Sequence, residues 1–205
     1  MVTSDKQARP GRPRDADKDL AVLIAARHLL AEVGYPQTTV VAIAKRAGVN
    51  TPAIYRRWPT RQALLEEAIH GPGAHSLPEP TGDLRADLAT WVRIFLARAE
   101  SPAARAGVPG LLADCQTEEA RRRLLAIGAP IRKAFAELLD GAVDSGRIPA
   151  GVNSDLLFEM LSGTTTFHAL VRGGADNDQF VASLADALHT MASHGAKPSR
   201  SPRRR

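Results

Sequence analysis

The sequence predicts an all-α protein, and three observations carry the prediction. Aromatic residues make up 4% of the chain, while Ala, Leu and Arg abound and β-branched runs are short, a composition that favours helix over strand. Apolar residues recur at i, i+3, i+4 and i+7 through most of the chain, the period of a helix with one buried face. Punctuation fits that period: Thr39, Asn50 and Thr60 stand where helices would need N-caps, and Gly34, Gly48 and Gly146 where they would need to stop.

Up to Ala16 the chain is polar and unpatterned, with Arg9-Pro10-Gly11-Arg12-Pro13-Arg14 at its centre. Two prolines and a glycine keep such a segment extended. Residues 1–16 read either as a disordered tail or as a flexible basic arm whose Arg12 and Arg14 enter a narrow minor groove. From Asp17 or Lys18 to about Val33, the positions Leu20, Leu23, Ile24, Leu30 and Val33 predict a long first helix that Gly34 ends.

The stretch from Thr38 to Arg61 organises the rest. Val40, Ile43, Ala44 and Ala47 make one buried stripe of a short helix capped by Thr39. Gly48 suits the left-handed residue of a tight turn. Asn50 then caps a second helix, with Pro52 tolerated in its first turn. Ile54 and Trp58 would face the first helix, leaving Thr51, Ala53, Tyr55, Arg56 and Arg57 spread over the outer surface. Small residues at the start of a short helix, with Tyr and two Arg beyond, suit a major groove that the backbone must approach closely. Two such helices need a supporting bundle.

The motif Thr-Thr-x-x-x-Ile-Ala-x-x-Ala-Gly-Val, followed by Ile-Tyr-Arg-Arg-Trp-Pro and then Leu-Leu, resembles the DNA-binding segment of the TetR family of bacterial transcriptional regulators. The resemblance implies an N-terminal, homeodomain-like three-helix module of the helix-turn-helix type. A fourth helix joins it to a C-terminal helical bundle for ligand binding and dimerisation, about nine helices in all. It implies that Thr39, Asn50, Thr51, Pro52, Ala53, Tyr55, Arg56, Arg57 and Arg61 form the DNA-binding set, with Arg12 and Arg14 in the arm. Arg61, opening the fourth helix, is expected on a phosphate. Val41 and Ala42 stand where relatives often carry polar residues, which shifts the expected base readout onto Thr51 to Arg57.

Charge divides the chain in the same way. Residues 1–61 hold 11 Lys+Arg against 5 Asp+Glu, residues 62–196 hold 11 against 17, and residues 197–205 add five more cations. A basic N-terminal quarter on an acidic body is what polyanion binding by one end requires. The single cysteine, Cys115, excludes internal disulfides and multi-cysteine metal sites and fits a reducing, cytoplasmic setting, where a regulator of this kind would be nucleoid-associated. No apolar run reaches membrane-spanning length, and the N-terminus has no signal-peptide core.

Thr60 caps the fourth helix, with Leu64, Leu65, Ala68 and Ile69. Residues 71–82, with three Pro and three Gly, mark the boundary between a DNA-binding domain at 17–70 and a ligand-binding and dimerisation domain at 83–194. In that domain Leu84, Leu88, Trp91, Val92, Phe95 and Leu96 predict one helix. Ser101-Pro102 starts the next, with an interruption expected at Gly107 to Gly110. Thr117 opens another, with a bend expected at Gly128 to Pro130 and a stop at Gly146. The last two helices, about 153–171 and 177–193, carry more apolar surface than one small bundle needs. It either completes the monomer core or, as the family resemblance implies, pairs with a second copy in a C2 homodimer. The tail 195–205 is Pro-, Ser- and Arg-rich, a disordered, solubilising composition.

Catalytic signatures are missing: there is no Gly-rich phosphate loop, His-Glu-x-x-His, nucleophile elbow or cysteine pair. The chain therefore reads as no enzyme, with no cofactor, no metal and no membrane partner. The expected partners are a double-stranded DNA operator, a second copy of the chain and a small-molecule effector that releases a repressor from DNA. The alternative is a DNA-binding adaptor or architectural protein whose C-terminal domain binds only protein. Candidate effector contacts are the aromatic and polar groups on inward faces: Trp91, Phe95, Leu112, Cys115, Phe135, Phe158, Thr164 and His168, with Thr164 and His168 favoured as polar groups on a buried face.

Overall fold

The computed structural model describes residues 14–71, 77–174 and 176–194. Among them are nine α-helices: α1 (Arg14–Gln37), α2 (Val40–Ala47), α3 (Thr51–Arg57), α4 (Arg61–His70), α5 (Leu84–Glu100), α6 (Pro102–Asp114), α7 (Glu118–Asp144), α8 (Ser154–Phe167) and α9 (Asn177–His194). A π-helical turn, His168–Arg172, extends α8. The all-α fold follows from the composition and the caps. Thr39, Asn50, Thr60, Asp83, Ser101, Thr117 and Asn153 each accept a hydrogen bond from the backbone N–H three residues on, satisfying one of the donors that every helix start leaves open.

Two sequence expectations on α1 meet different outcomes. Gly34 does break the helix, at φ 76° and ψ 174°, and the chain resumes in a single turn through Pro36. The start, however, lies at Arg14 rather than at Asp17 or Lys18. A proline obstructs a helix only on its N-terminal side, so Pro13 leaves the residue after it free to begin one. Arg14 thus belongs to α1 and not to an extended arm. Arg12 and the tail 195–205 lie outside the described residues.

The expected interruption of α6 does not occur: the helix runs through Pro109, and α7 likewise continues through Pro130. The α6 glycines have another use. A Cβ built on Gly107 would lie 2.4 Å from Ile69, and one on Gly110 would lie 2.2 Å from the Tyr35 ring. These glycines let α6 lie directly on α1 and α4.

The core has two parts. One joins α1 to α4 and takes in Ala103 and Leu111 of α6. The other is built from α5, α7, α8 and α9 around Leu88, Trp91, Phe135, Leu139, Leu161 and Leu188. Helix α6 bridges them, and polar ties reinforce the bridge. Tyr35 donates to Asp114 across 2.6 Å. Arg123 of α7 forms a bidentate pair with buried Glu66 of α4, at 2.6 and 3.0 Å. Arg105 of α6 donates to the Ala169 carbonyl in the π turn.

Candidate nucleic-acid interface and apolar cavity

The helix-turn-helix forms as its residues dictate. Thr39 Oγ1 accepts from Ala42 N at 3.2 Å, Gly48 takes the left-handed conformation at φ 66° and ψ 30°, and Asn50 Oδ1 accepts from Ala53 N at 2.9 Å. Ile54 and Trp58 are buried against the preceding helices, and the Trp58 indole N–H donates to Glu67 Oε2 at 2.8 Å. That fixes which face of α3 looks outward. Pro52, Tyr55, Arg56 and Arg57 are exposed on it, with Thr39 and Asn50 exposed beside them and Thr51 and Ala53 half-buried.

The basic side chains of this set are not equivalent. Arg56 has no hydrogen-bond partner among the described residues. Arg57 pairs with Asp19 of α1 at 3.2 Å and lies over the Trp58 ring. Arg61 is half-buried: it donates through Nε to the Thr38 carbonyl at 2.7 Å, donates through Nη2 to the Tyr35 carbonyl, and stacks 4.3 Å from the Tyr35 ring centroid. Its guanidinium thus ties α4 to the α1–α2 junction, an occupation the sequence did not reveal. The carbonyls it reaches are freed where Gly34 and the following turn interrupt α1, a signal visible only once the chain is folded.

A cavity of about 510 Å³ opens where α4, α5, α6, α7 and α8 meet. Of the sequence candidates, Phe95, Leu112 and Phe158 line it, joined by Ile69 and His70 of α4, Arg98, Val108, Leu111, Leu124, Leu125, Ile131, Arg132 and Phe167. Trp91 and Phe135 do not: they form the layer beneath, edge-on to each other with centroids 5.2 Å apart. Cys115 ends α6 outside the lining, and Thr164 is exposed on another face of α8. His168 is buried but spent on structure. It stacks on Phe180 at 3.7 Å, and its Nε2 pairs with Asn177 Oδ1 at 3.2 Å, closing the joint between α8 and α9. Helical spacing placed these groups on inward faces, but it could not say which faces met the void and which met another helix.

The cavity's charges were missed altogether. Arg98 donates to the His70 carbonyl at 3.0 Å, and Arg132 lies 4.8 Å from the Phe158 ring and pairs with exposed Asp155 at 3.2 Å. Burial, and then the neighbouring Arg98 charge, pull His70 down to about 4, so its imidazole is neutral at pH 7. The signal was the placement of Arg98 three residues after Phe95, on the same helix face.

Two family models match the chain. Residues 22–68 match the one described as bacterial regulatory proteins, tetR family, and residues 78–188 match the tetracyclin repressor-like C-terminal domain. The uncharacterized HTH-type transcriptional regulator YdeS of Bacillus subtilis is 30% identical over 183 residues, covering 87% of this chain and 91% of its own. The DNA-binding transcriptional repressor TetR of Mycobacteroides abscessus is 28% identical over 179 residues, covering 84% and 92%. Among solved structures, the TetR family transcription regulator SCO0332 aligns with a TM-score of 0.67 at 26% identity, over 85% of this chain and 98% of that one.

Proposed function

The chain belongs to the TetR family of DNA-binding transcriptional regulators, and on that footing we propose that it is a homodimeric repressor released from a palindromic operator by a small molecule bound in the cavity. In this reading residues 17–70 are the DNA-binding unit and residues 83–194 the sensing and pairing unit. Each subunit places α3 in a major groove, with Thr51, Pro52 and Ala53 at base edges and Tyr55, Arg56 and Arg57 on the backbone. The protein works in the cytoplasm, on the genome.

The observation that carries this reading is the cavity's wall. Ile69 and His70 are the last two residues of α4, and the first residue of that helix, Arg61, holds the α1–α2 junction. A molecule filling the cavity presses on one end of a ten-residue rod whose other end anchors the recognition module. Coupling of ~1–3 kcal/mol, the usual allosteric range, corresponds to roughly 5- to 150-fold weaker DNA binding.

Support for pairing comes from α8, the π turn and α9. Leu156, Phe167, Val171 and Met191 are 43%, 61%, 64% and 38% exposed, and the first three recur along one face with half-buried Met160 and exposed Gly163 between them. Exposed apolar surface in such a row marks an interface.

The test begins with selection of genomic fragments bound by the purified chain. Sedimentation on the selected duplex should give two chains per palindrome, and a Leu156→Glu, Val171→Glu double variant should be monomeric and weak on DNA. A monomer that binds a non-palindromic site overturns the dimeric reading. If a broad compound library leaves DNA affinity and melting temperature unchanged, the adaptor alternative replaces effector release.

A further inference from the structure

We propose that the cavity takes an amphiphilic organic anion, a carboxylate on a hydrocarbon body, and that Arg98 both binds the carboxylate and transmits its presence to α4. The proposal rests on the effector-release reading and adds the chemical class of the effector and the residue that reports it.

The argument starts from the charges on the wall. The lining holds two guanidiniums, Arg98 and Arg132, and no Asp or Glu. The remainder is apolar or weakly polar, with Val108, Leu111, Leu124 and Ile131 forming a surface that suits a hydrocarbon body. A volume of about 510 Å³ lies in the usual range for small-ligand sites.

The two arginines differ in how far their charge is already answered. Arg132 pairs with Asp155. Arg98 has no carboxylate within ion-pairing distance among the described residues. Among the described residues its polar contact is a single donated bond to the His70 carbonyl, and its guanidinium sits 6.0 Å from the Phe95 ring centroid. Burial and the nearby Arg27 charge both disfavour its protonated form and lower its pKa. A partly desolvated guanidinium with one neutral acceptor and a second cation nearby is a strong anion receptor, because a bidentate carboxylate replaces lost hydration with charge-assisted bonds. A cationic ligand would meet the opposite field.

The same side chain is also the link to DNA. Arg98 holds a carbonyl of the final residue of α4, next to Ile69, which packs against Gly107 of α6. An anion that captures Arg98 competes with the His70 carbonyl for its N–H groups and loosens that end of α4 from α5. Entry of the ligand and release of the helix are then one event.

The experiment uses the full-length chain with three probes of equal chain length, each below its micellar concentration: dodecanoate, dodecanol and dodecyltrimethylammonium. Calorimetry reads binding, and anisotropy of a labelled operator duplex reads release. Dodecanoate should bind roughly tenfold more tightly than dodecanol and should release DNA, while the ammonium should do neither. Arg98→Gln removes the charge and ends short of the Nη2 that meets the His70 carbonyl, so it should reduce dodecanoate to the affinity of dodecanol and leave dodecanol unchanged. Gly128→Phe, at a cavity-lining position where an added Cβ meets nothing within 4 Å, should fill the cavity and abolish binding of every probe while DNA binding persists.

Equal or tighter binding of the alcohol or the ammonium overturns the anion assignment but keeps the cavity as the effector site. Undiminished dodecanoate affinity in Arg98→Gln overturns the role of Arg98, as does dodecanoate that binds without releasing DNA. Binding that survives Gly128→Phe places the probes elsewhere and overturns the proposal. Failure of all three probes to bind counts against the effector cavity itself.

Discussion

The Tyr35 hydroxyl donates to Asp114 Oδ2 across 2.6 Å, joining the end of α1 to the last residue of α6. Burial, and then the Asp114 carboxylate, push the phenol up to about 12. Tyr35→Phe should destabilise the protein by about 1.5–3 kcal/mol, the usual range for a hydrogen bond to a charged group. The loss should have a pH signature. Above pH 10 the unfolded chain releases the phenol proton and the folded one keeps it, so the wild type should lose stability as pH rises from about 10 to 12 and the variant should not. Urea midpoints across that range check it. Parallel curves would show that the phenol titrates freely in the folded state.

Two glycines should respond to alanine with opposite signs. In α6 a Cβ at Gly110 would sit 2.2 Å from the Tyr35 ring. The overpacking cost of about 1–3 kcal/mol therefore outweighs the ~1 kcal/mol that alanine gains in helix propensity. At Gly128 in α7 the added Cβ meets nothing within 4 Å, so Gly128→Ala should keep the whole propensity gain and raise stability. Thermal melts of the two variants decide the matter, and a stabilised Gly110→Ala would mean that α6 moves away from Tyr35 at little cost.

On DNA, Arg56 and Arg61 should separate. Arg56 is exposed and has no partner in the protein among the described residues, so Arg56→Ala should weaken binding to all sequences and flatten the log–log salt dependence by about one unit, with the melting temperature unchanged. Arg61 spends two hydrogen bonds and a ring stack on the α1–α2 junction. Arg61→Ala should therefore lower the melting temperature as well as the affinity. A variant of normal stability with a flattened salt slope would return Arg61 to the purely phosphate-binding role that the sequence suggests.

Most of the fold was legible because it is locally encoded. Thr39, Gly48, Asn50 and Thr60 each act within three or four residues of themselves, and the sequence displays that whole interaction. Gly107 and Gly110 misled for the opposite reason. They look like breakers in one dimension, yet they serve contacts with Tyr35 and Ile69, far away in the chain. The cavity was half legible. Phe95 and Phe158 lie on inward faces and do line it, while Leu112 lines it from an exposed position, but Trp91, Phe135 and His168 lie on equally inward faces that meet other helices. Arg98 shares a helix face with Phe95, but its role depends on the carbonyl of His70, 28 residues away.

His70 offers a prediction that the sequence could not have supplied. Its imidazole lines the cavity and is pulled from 6.5 to about 4 by burial and then by Arg98. Between those values the unfolded chain binds a proton that the folded chain refuses, so stability falls as pH drops from 6.5 towards 4 and is unaffected above 6.5. At 1.36 kcal/mol per pKa unit the full effect is bounded at about 3 kcal/mol. His70→Leu keeps the backbone carbonyl that Arg98 holds and removes the titrating ring. The difference in urea midpoint between wild type and variant should therefore be constant from pH 8 to about 6.5 and should then move in the variant's favour down to pH 4.5. Other groups titrate in both proteins and cancel in the difference. A difference that stays flat through that window would mean the ring is hydrated and protonates in place.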